Sequence, residues 1–310
     1  MAHAVPRRRS EAGRARGVQR GAFVAAFLLP ATALYVLFVM WPVAQAFIFS
    51  LYRWRGVSME RTFTGLGNFA QLVADPVFLR ALSHNLALLF FGGAVILCVA
   101  IAVSHAIHTE GRAARALRAV YLFPQVISMV VVAVLWSFVY NPSFGVLNGT
   151  LRAAGLGHWA LDWLGSSRTA LPAVGVVFVW HALGFHIMLL SAGLRTIPVE
   201  VTEAAVLDGA AGLQRLRSVT LPMLWPVLRV SMVYLVIGSL NTFALVYLMT
   251  VGGPDRSTEV MLTYLYEHGF KHSEFGYATA LAVANFGIVM LLSGAVMAAM
   301  RRDPTEGSPA

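Results

Sequence analysis

Pro198-Val199-Glu200-Val201-Thr202-Glu203-Ala204-Ala205-Val206-Leu207-Asp208-Gly209-Ala210 is a polar island in a chain otherwise made of long apolar runs, and Leu221-Pro222 follows it after a basic patch at Arg215 and Arg217. Pro198 suits a helix start, Val199 to Leu207 has helix-forming content, Gly209 and Gly212 break that helix, and Leu213 to Val219 forms a second short one. A helical hairpin between two membrane spans is expected. A carboxylate at Glu203 offers a charge-assisted hydrogen bond to an Arg or Lys of another protein, while Ala204 and Ala205 keep the contact face small. Asp208 is expected to hold the turn by bonding nearby backbone amides, and Gly209 supplies left-handed geometry. The plain alternative is a surface helix with a solvated carboxylate.

Outward from this island, 58% of residues are hydrophobic and only 12% are charged, with a mean hydropathy of +0.71. That is a membrane composition. Six stretches carry no Asp, Glu, Lys or Arg: Gly21 to Tyr52, Leu82 to Ile107, Ala119 to Leu151, Thr169 to Leu194, Val230 to Pro254 and Phe275 to Met300. Each exceeds the roughly 20 residues that cross a bilayer's hydrocarbon core as a helix. The expected fold is all-α, a polytopic membrane protein with six transmembrane helices and a cytoplasmic helix-turn-helix.

Basic residues set the orientation, because Lys and Arg near span ends are retained on the cytoplasmic side. Of the 23 Lys and Arg, fifteen fall on the side of the termini and the Glu203 loop, and eight on the other. Both termini and the hairpin are therefore expected in the cytoplasm. The net charge of +9 is a topology signal and not a nucleic-acid surface, since the arginines flank spans and are not interleaved with exposed aromatics. The run Gly21 to Tyr52 is too long for a cleaved signal, and Arg7-Arg8-Arg9-Ser10 lacks the apolar residues of a twin-arginine leader. Cys98, the single cysteine, excludes an internal disulfide and a Cys-based metal cage.

Residues 1–20 and 303–310 read as polar tails, the first of them Arg-rich and disordered, around a transmembrane domain 21–302 whose cytoplasmic loop runs from 195 to 229. Arg53 to Ala81 is turn-rich, with a short amphipathic helix expected around Phe69 to Val73. Trp159 and Trp163 suit the outer interface. Pro30, Pro42, Pro124, Pro172 and Pro226 lie in or beside spans, where they shape helices or act as hinges.

The hairpin resembles the EAA loop of ABC-transporter permeases, the element that docks into a cleft of the ATPase subunit. In that resemblance the matching residues are Glu203, Ala204, Ala205, Asp208, Gly209, Ala210, Leu221 and Pro222. Gly65-Leu66-Gly67-Asn68-Phe69 followed by Asn85 is similar to an element of carbohydrate permeases, although Leu86 stands where a Thr is expected. Pro124, Trp136, Gly145 and Asn148, then Trp180, Gly184, Phe185, Gly193, Leu194, Ile197 and Pro198, fit the same family in order. Gly252-Gly253-Pro254, Thr258, Tyr264, Tyr266, Phe270, Phe275, Gly276 and Ala278 resemble the element before the last span in the maltose and glycerol-phosphate type. The resemblance implies a subunit that is not itself an enzyme and carries no cofactor, ATP and Mg being bound by the partner. It further implies a second homologous permease, two ATPase subunits, an extracytoplasmic solute-binding protein and the bilayer of a bacterial cytoplasmic membrane.

Gln125, Trp180, Asn241, Tyr247 and Asn285 are the candidate substrate-pathway residues, because aromatic faces and amides stack on and hydrogen-bond a polyol. Their alternative role is packing and interhelical bonding. An ion-coupled secondary transporter is the rival function, but the charge-free runs supply no carboxylate for a proton or sodium relay. A membrane hydrolase would rest on His84, His105, His181 and His186 alone. His268 and His272 have the i, i+4 spacing of a metal pair, but Gly269 weakens that helix and no His-Glu-x-x-His order occurs, so no metal site is expected.

Overall fold

The computed structural model describes residues 24–106 and 121–301, so the expected tails and the arginines at 112, 115, 118 and 302 lie outside the described residues. The described chain is helical apart from one two-stranded hairpin. Helix α1, Val24–Phe49, has 26 residues, a length of about 39 Å. It is almost wholly exposed to the surroundings, as a helix bathed in lipid must be. It touches the bundle near its end, where Phe47 meets Phe286 edge to face at 6.1 Å.

Strands β1, Tyr52–Trp54, and β2, Arg61–Phe63, pair antiparallel with Tyr52 opposite Phe63. The hairpin was not expected from the turn-rich sequence, and it is closed by side chains, with the Arg61 guanidinium over the Trp54 ring at 4.4 Å. Helix α2, Gly67–Ala74, covers the expected amphipathic segment. Buried Asn68 at its start donates to the carbonyls of Ser50 and Tyr52 and ties α2 to the end of α1.

Helix α3, Pro76–Ala106, begins ahead of Leu82 and takes in Arg80. The charge-free run stops at an arginine, but a helix does not, because a guanidinium at a span end reaches the headgroups on its long stem. Asp75 caps α3 by accepting from the amides of Val77 and Phe78. The run Ala119 to Leu151 is not one helix: a helical segment 121–126 ends before Ser128 (φ −57°, ψ 138°), α4 spans Met129–Val139, and α5 spans Val146–Ala153. Asn141 forces the turn between α4 and α5 by accepting from the amides of Ser143 and Phe144.

Helix α6 is Ala170–Leu194, α7 is Val199–Leu207, and α8 runs over 212–223 with a widened turn at Leu216–Thr220. The next span, Trp225–Met249, starts ahead of Val230 and includes Arg229 for the same reason as α3; it is broken into α9, Trp225–Leu240, and α10, Ala244–Met249. Helix α11, Met261–Tyr266, continues through a widened turn, Glu267–Lys271, to α12, Phe275–Ala299. Among the described residues, five helices are long and apolar enough to cross a membrane: α1, α3, α6, the α9–α10 unit and α12. The third apolar run, Ala119 to Leu151, contributes the shorter, broken 121–126 and α4 pair.

Small residues let these helices approach where lipid gives no hydrophobic drive. A Cβ on Gly184 of α6 would lie 2.3 Å from the Tyr121 carbonyl, and one on Gly276 of α12 would lie 2.0 Å from the Tyr52 carbonyl. Buried Asn85 joins three elements, donating to the Ser239 carbonyl of α9 and accepting from the Met261 amide of α11. Asn148 likewise donates to the Leu161 carbonyl and accepts from the Trp163 indole. The glycines and asparagines of the family resemblance are therefore crossing points and ties.

Candidate functional site

The hairpin begins at Pro198, whose extended conformation (φ −58°, ψ 139°) turns the chain from α6 into α7. Gly209 at φ +80° ends α7, with its amide donating to Val206 and the Ala210 amide to Ala205. This is the paired backbone closure of a helix that ends on a left-handed glycine. The Asp208 carboxylate is exposed and makes no hydrogen bond among the described residues, so the turn is held by backbone and not, as the sequence suggested, by Asp208. Ala205 is buried at the base of the hairpin, whereas Glu203, Ala204, Val206, Leu207 and Asp208 face outward. Glu203 makes no ion pair among the described residues.

Two apolar side chains at the turn were missed by the sequence reading. Leu207 is 87% exposed and Leu213 59% exposed, in a segment too polar to lie in lipid. Both stand exposed on the hairpin, as the Glu203 carboxylate does. Leu221 and Pro222 sit apart from this surface, at the hairpin's root, where Leu221 packs on a core of Leu190, Leu194, Leu224 and Leu228.

A cavity of about 490 Å³ opens between the 121–126 segment, α4, α6, α9 and α10. Both helix breaks border it. At one, Gln125 donates to the His181 carbonyl at 2.6 Å. At the other, the Thr242 hydroxyl donates to the Gly238 carbonyl, and the Asn241 side chain adds a second donor to the Ile237 carbonyl. Phe178, Phe185, Tyr234 and Phe243 supply aromatic walls, and His186 is held by the Ser231 hydroxyl at 2.7 Å. No residue lining this cavity carries a formal charge.

Of the five nominated pathway residues, Gln125 and Asn241 line the cavity. Tyr247 stands beside it, stacked on Phe243 at 5.1 Å and edge-on to Tyr266 at 5.0 Å. Trp180 faces instead a separate apolar groove and packs against Trp136. Asn285 is buried in α12 outside both, its Oδ1 without a partner. His181 and His186, read from the sequence as pore-facing or helix-bonded polar residues, both line the cavity, whereas Thr242 and Phe243 were not nominated, because which face of a uniformly apolar helix lines a cavity leaves no periodic signal.

At the end of the bundle away from the hairpin, Asp75 also accepts from the Tyr264 and Tyr277 hydroxyls. Burial pushes its carboxyl up, but these two hydroxyls and the Val77 and Phe78 amides outweigh that and hold it below the usual range. Arg256 forms a two-pronged pair with Glu267 and reaches Glu259. Burial raises the Glu259 carboxyl, only partly offset by Thr263 and Arg256. Gly269 does not end its helix: the widened turn carries through it, and its Cα packs against Ala278. His268, His272 and Glu274 consequently converge, with His268 Nδ1 2.6 Å from Glu274 Oε2.

A cavity at two helix breaks inside a bundle of apolar, membrane-length helices, joined to an exposed hairpin, defines a membrane permease. The chain belongs to the family of binding-protein-dependent transport system inner membrane components, whose model matches residues 94–302. It is 35% identical over 288 residues to the diacetylchitobiose uptake system permease protein NgcF of Streptomyces coelicolor, covering 89% of this chain and 82% of that one. It is 36% identical over 278 residues to the probable ABC transporter permease protein YurN of Bacillus subtilis, covering 86% and 92%. A bacterial ABC transporter involved in the import of the acidic polysaccharide alginate has a chain of the same fold, with a TM-score of 0.80 at 23% identity over 93% of this chain and 98% of that one. The chain is thus the membrane permease component of a binding-protein-dependent ABC importer of the inner membrane.

Proposed function

We propose that the imported solute is a sugar and that this chain forms one half of the pore. A second, homologous permease completes it, two ATPase subunits bind ATP and Mg beneath it, and an extracytoplasmic binding protein delivers the solute. The observation that carries this reading is the uncharged, aromatic and amide-lined cavity at two helix breaks. Sugars offer hydroxyls to Gln125 and Asn241 and C–H faces to Phe243 and Tyr247. Relatives named for diacetylchitobiose and for trehalose and maltose support the same class.

The 195–229 loop is the coupling element, with Glu203, Leu207 and Leu213 entering a cleft of the ATPase and the termini on the same cytoplasmic side. Closure of the ATPases on ATP moves the hairpin, and α6 and α9, which join it directly, carry the motion to the cavity walls. Reconstitution in vesicles with the partner permease, ATPase and binding protein tests this, with a panel of labelled saccharides. Uptake should require ATP and survive collapse of proton and sodium gradients. Uptake by this chain alone on an imposed ion gradient, indifferent to ATP, would falsify it in favour of a secondary transporter.

A further inference from the structure

We propose that the turn between α11 and α12 is a binding site for a divalent transition-metal ion of the Zn²⁺ class, formed by His268, His272 and Glu274. The donor atoms of these three side chains all lie within 4.8 Å of one another. Two imidazoles and a carboxylate are the ligand types that Zn²⁺ takes in three-ligand sites, with a fourth position left for water. Ligands about 2.0–2.2 Å from one tetrahedral ion are roughly 3.3–3.6 Å apart, so small side-chain rotations close the set.

The backbone builds this convergence. The widened turn Glu267–Lys271 sets the two histidine rings 5.3 Å apart and nearly perpendicular. Ser273, at φ +57°, then reverses the chain and the Glu274 amide bonds back to the His268 carbonyl. Glu274 is thereby brought over the His268 ring.

The supporting shell is already ordered. The His268 ring is clamped edge-on by Tyr264 at 4.5 Å and by Tyr277 at 4.7 Å, and both tyrosines are anchored on Asp75. Glu267 lies 3.9 Å from His272 and is fixed by its pair with Arg256, available as a bond to the ring nitrogen that does not hold the ion. Such outer partners orient ligating histidines and sharpen affinity. The His272 and Glu274 side chains are about half exposed, which gives the ion an entry path, while His268 is mostly covered. A bound ion joins the end of α11 to the first turn of the last span and stiffens the Ser273 reversal.

Equilibrium dialysis of the purified full chain in detergent, without a polyhistidine tag, against zinc chloride tests the site. One Zn²⁺ per chain is expected at micromolar free ion, with lower amide hydrogen exchange over 267–275. His272→Ala should weaken binding at least about tenfold, the size of loss seen even for an outer partner. The double variant His268→Ala/His272→Ala should abolish it. His272 is exposed enough to be replaced without unfolding the chain, so its single variant decides the case if the double one is unstable. No ion retained by the wild type, or equal retention by His272→Ala, overturns the proposal, the latter because other histidines of the nine would then hold the metal.

Discussion

Gln125 and His181 lock the broken third segment to α6 at the edge of the cavity, Nε2 of the first donating to the backbone oxygen of the second at 2.6 Å. The bond sits one turn from Gly184, where α6 passes the Tyr121 carbonyl too closely for any side chain. Gln125→Ala should insert normally yet lower uptake by about fivefold, since one hydrogen bond contributes about 1 kcal/mol. Gln125→Glu should be worse, because it sets a carboxylate against the His181 carbonyl. Equal uptake by all three forms at matched expression would remove Gln125 from the cavity's working parts.

Gly184 makes a stability prediction of its own. An added methyl would meet backbone, which cannot swing aside, and overpacking of this kind costs about 1–3 kcal/mol. Thermal unfolding of Gly184→Ala in detergent should occur several degrees below wild type. Gly149, which has nothing within 4 Å of an added Cβ, is the control: Gly149→Ala should leave the melting temperature unchanged or raised.

Local chemistry made the hairpin readable: Pro198, a nine-residue helix and Gly209 are each decided by neighbours in the chain, and Val199–Leu207 has the expected bounds. The count of apolar runs also survived, because hydropathy is a property of composition. What could not be read is tertiary. The end of the broken third segment is tied by Gln125 to the His181 carbonyl, more than fifty residues on, and Asp75 is joined to Tyr264 and Tyr277, about two hundred residues away in sequence. Gly269 misled for the opposite reason: its helix cost is real, yet the widened turn Glu267–Lys271 carries the backbone through it.

The hairpin surface separates coupling from folding. Glu203 and Leu207 are exposed and touch nothing that holds the fold together, so Glu203→Ala and Leu207→Ser should leave the melting temperature within error. Both should lower substrate-stimulated ATP hydrolysis in the assembled transporter by tenfold or more, as expected when a docked charge or an apolar anchor is lost. Gly209→Ala must hold φ near +80° with a Cβ and should destabilise the hairpin by about 1 kcal/mol. Full coupling by the Glu203 and Leu207 variants would place the ATPase contact elsewhere.

Orientation is open to chemical labelling once Cys98 is replaced by Ser. Leu207→Cys and Val251→Cys put exposed thiols at opposite ends of the bundle. A membrane-impermeant maleimide applied to intact cells should modify position 251 and spare 207 until the membrane is opened. The reverse pattern would invert the topology drawn from the arginine bias.

Glu259 gives the end of the bundle away from the hairpin a pH signature. Its carboxyl is raised above the ordinary 4.5 chiefly by burial, so the folded chain binds its proton more tightly than the unfolded one does. Stability then rises as pH falls from neutrality through the raised value and stops rising near the unfolded one. Asp75 works in the opposite sense: its lowered carboxyl favours the fold above about pH 4, and that contribution is lost only under stronger acid. Between pH 7 and 5 the Glu259 effect should therefore dominate this pair. Melting temperatures of wild type and Glu259→Gln across that range isolate it, because the variant is neutral throughout. The wild type should gain stability on acidification relative to the variant. A constant difference between the two curves would mean that Arg256 keeps Glu259 ionised in the fold.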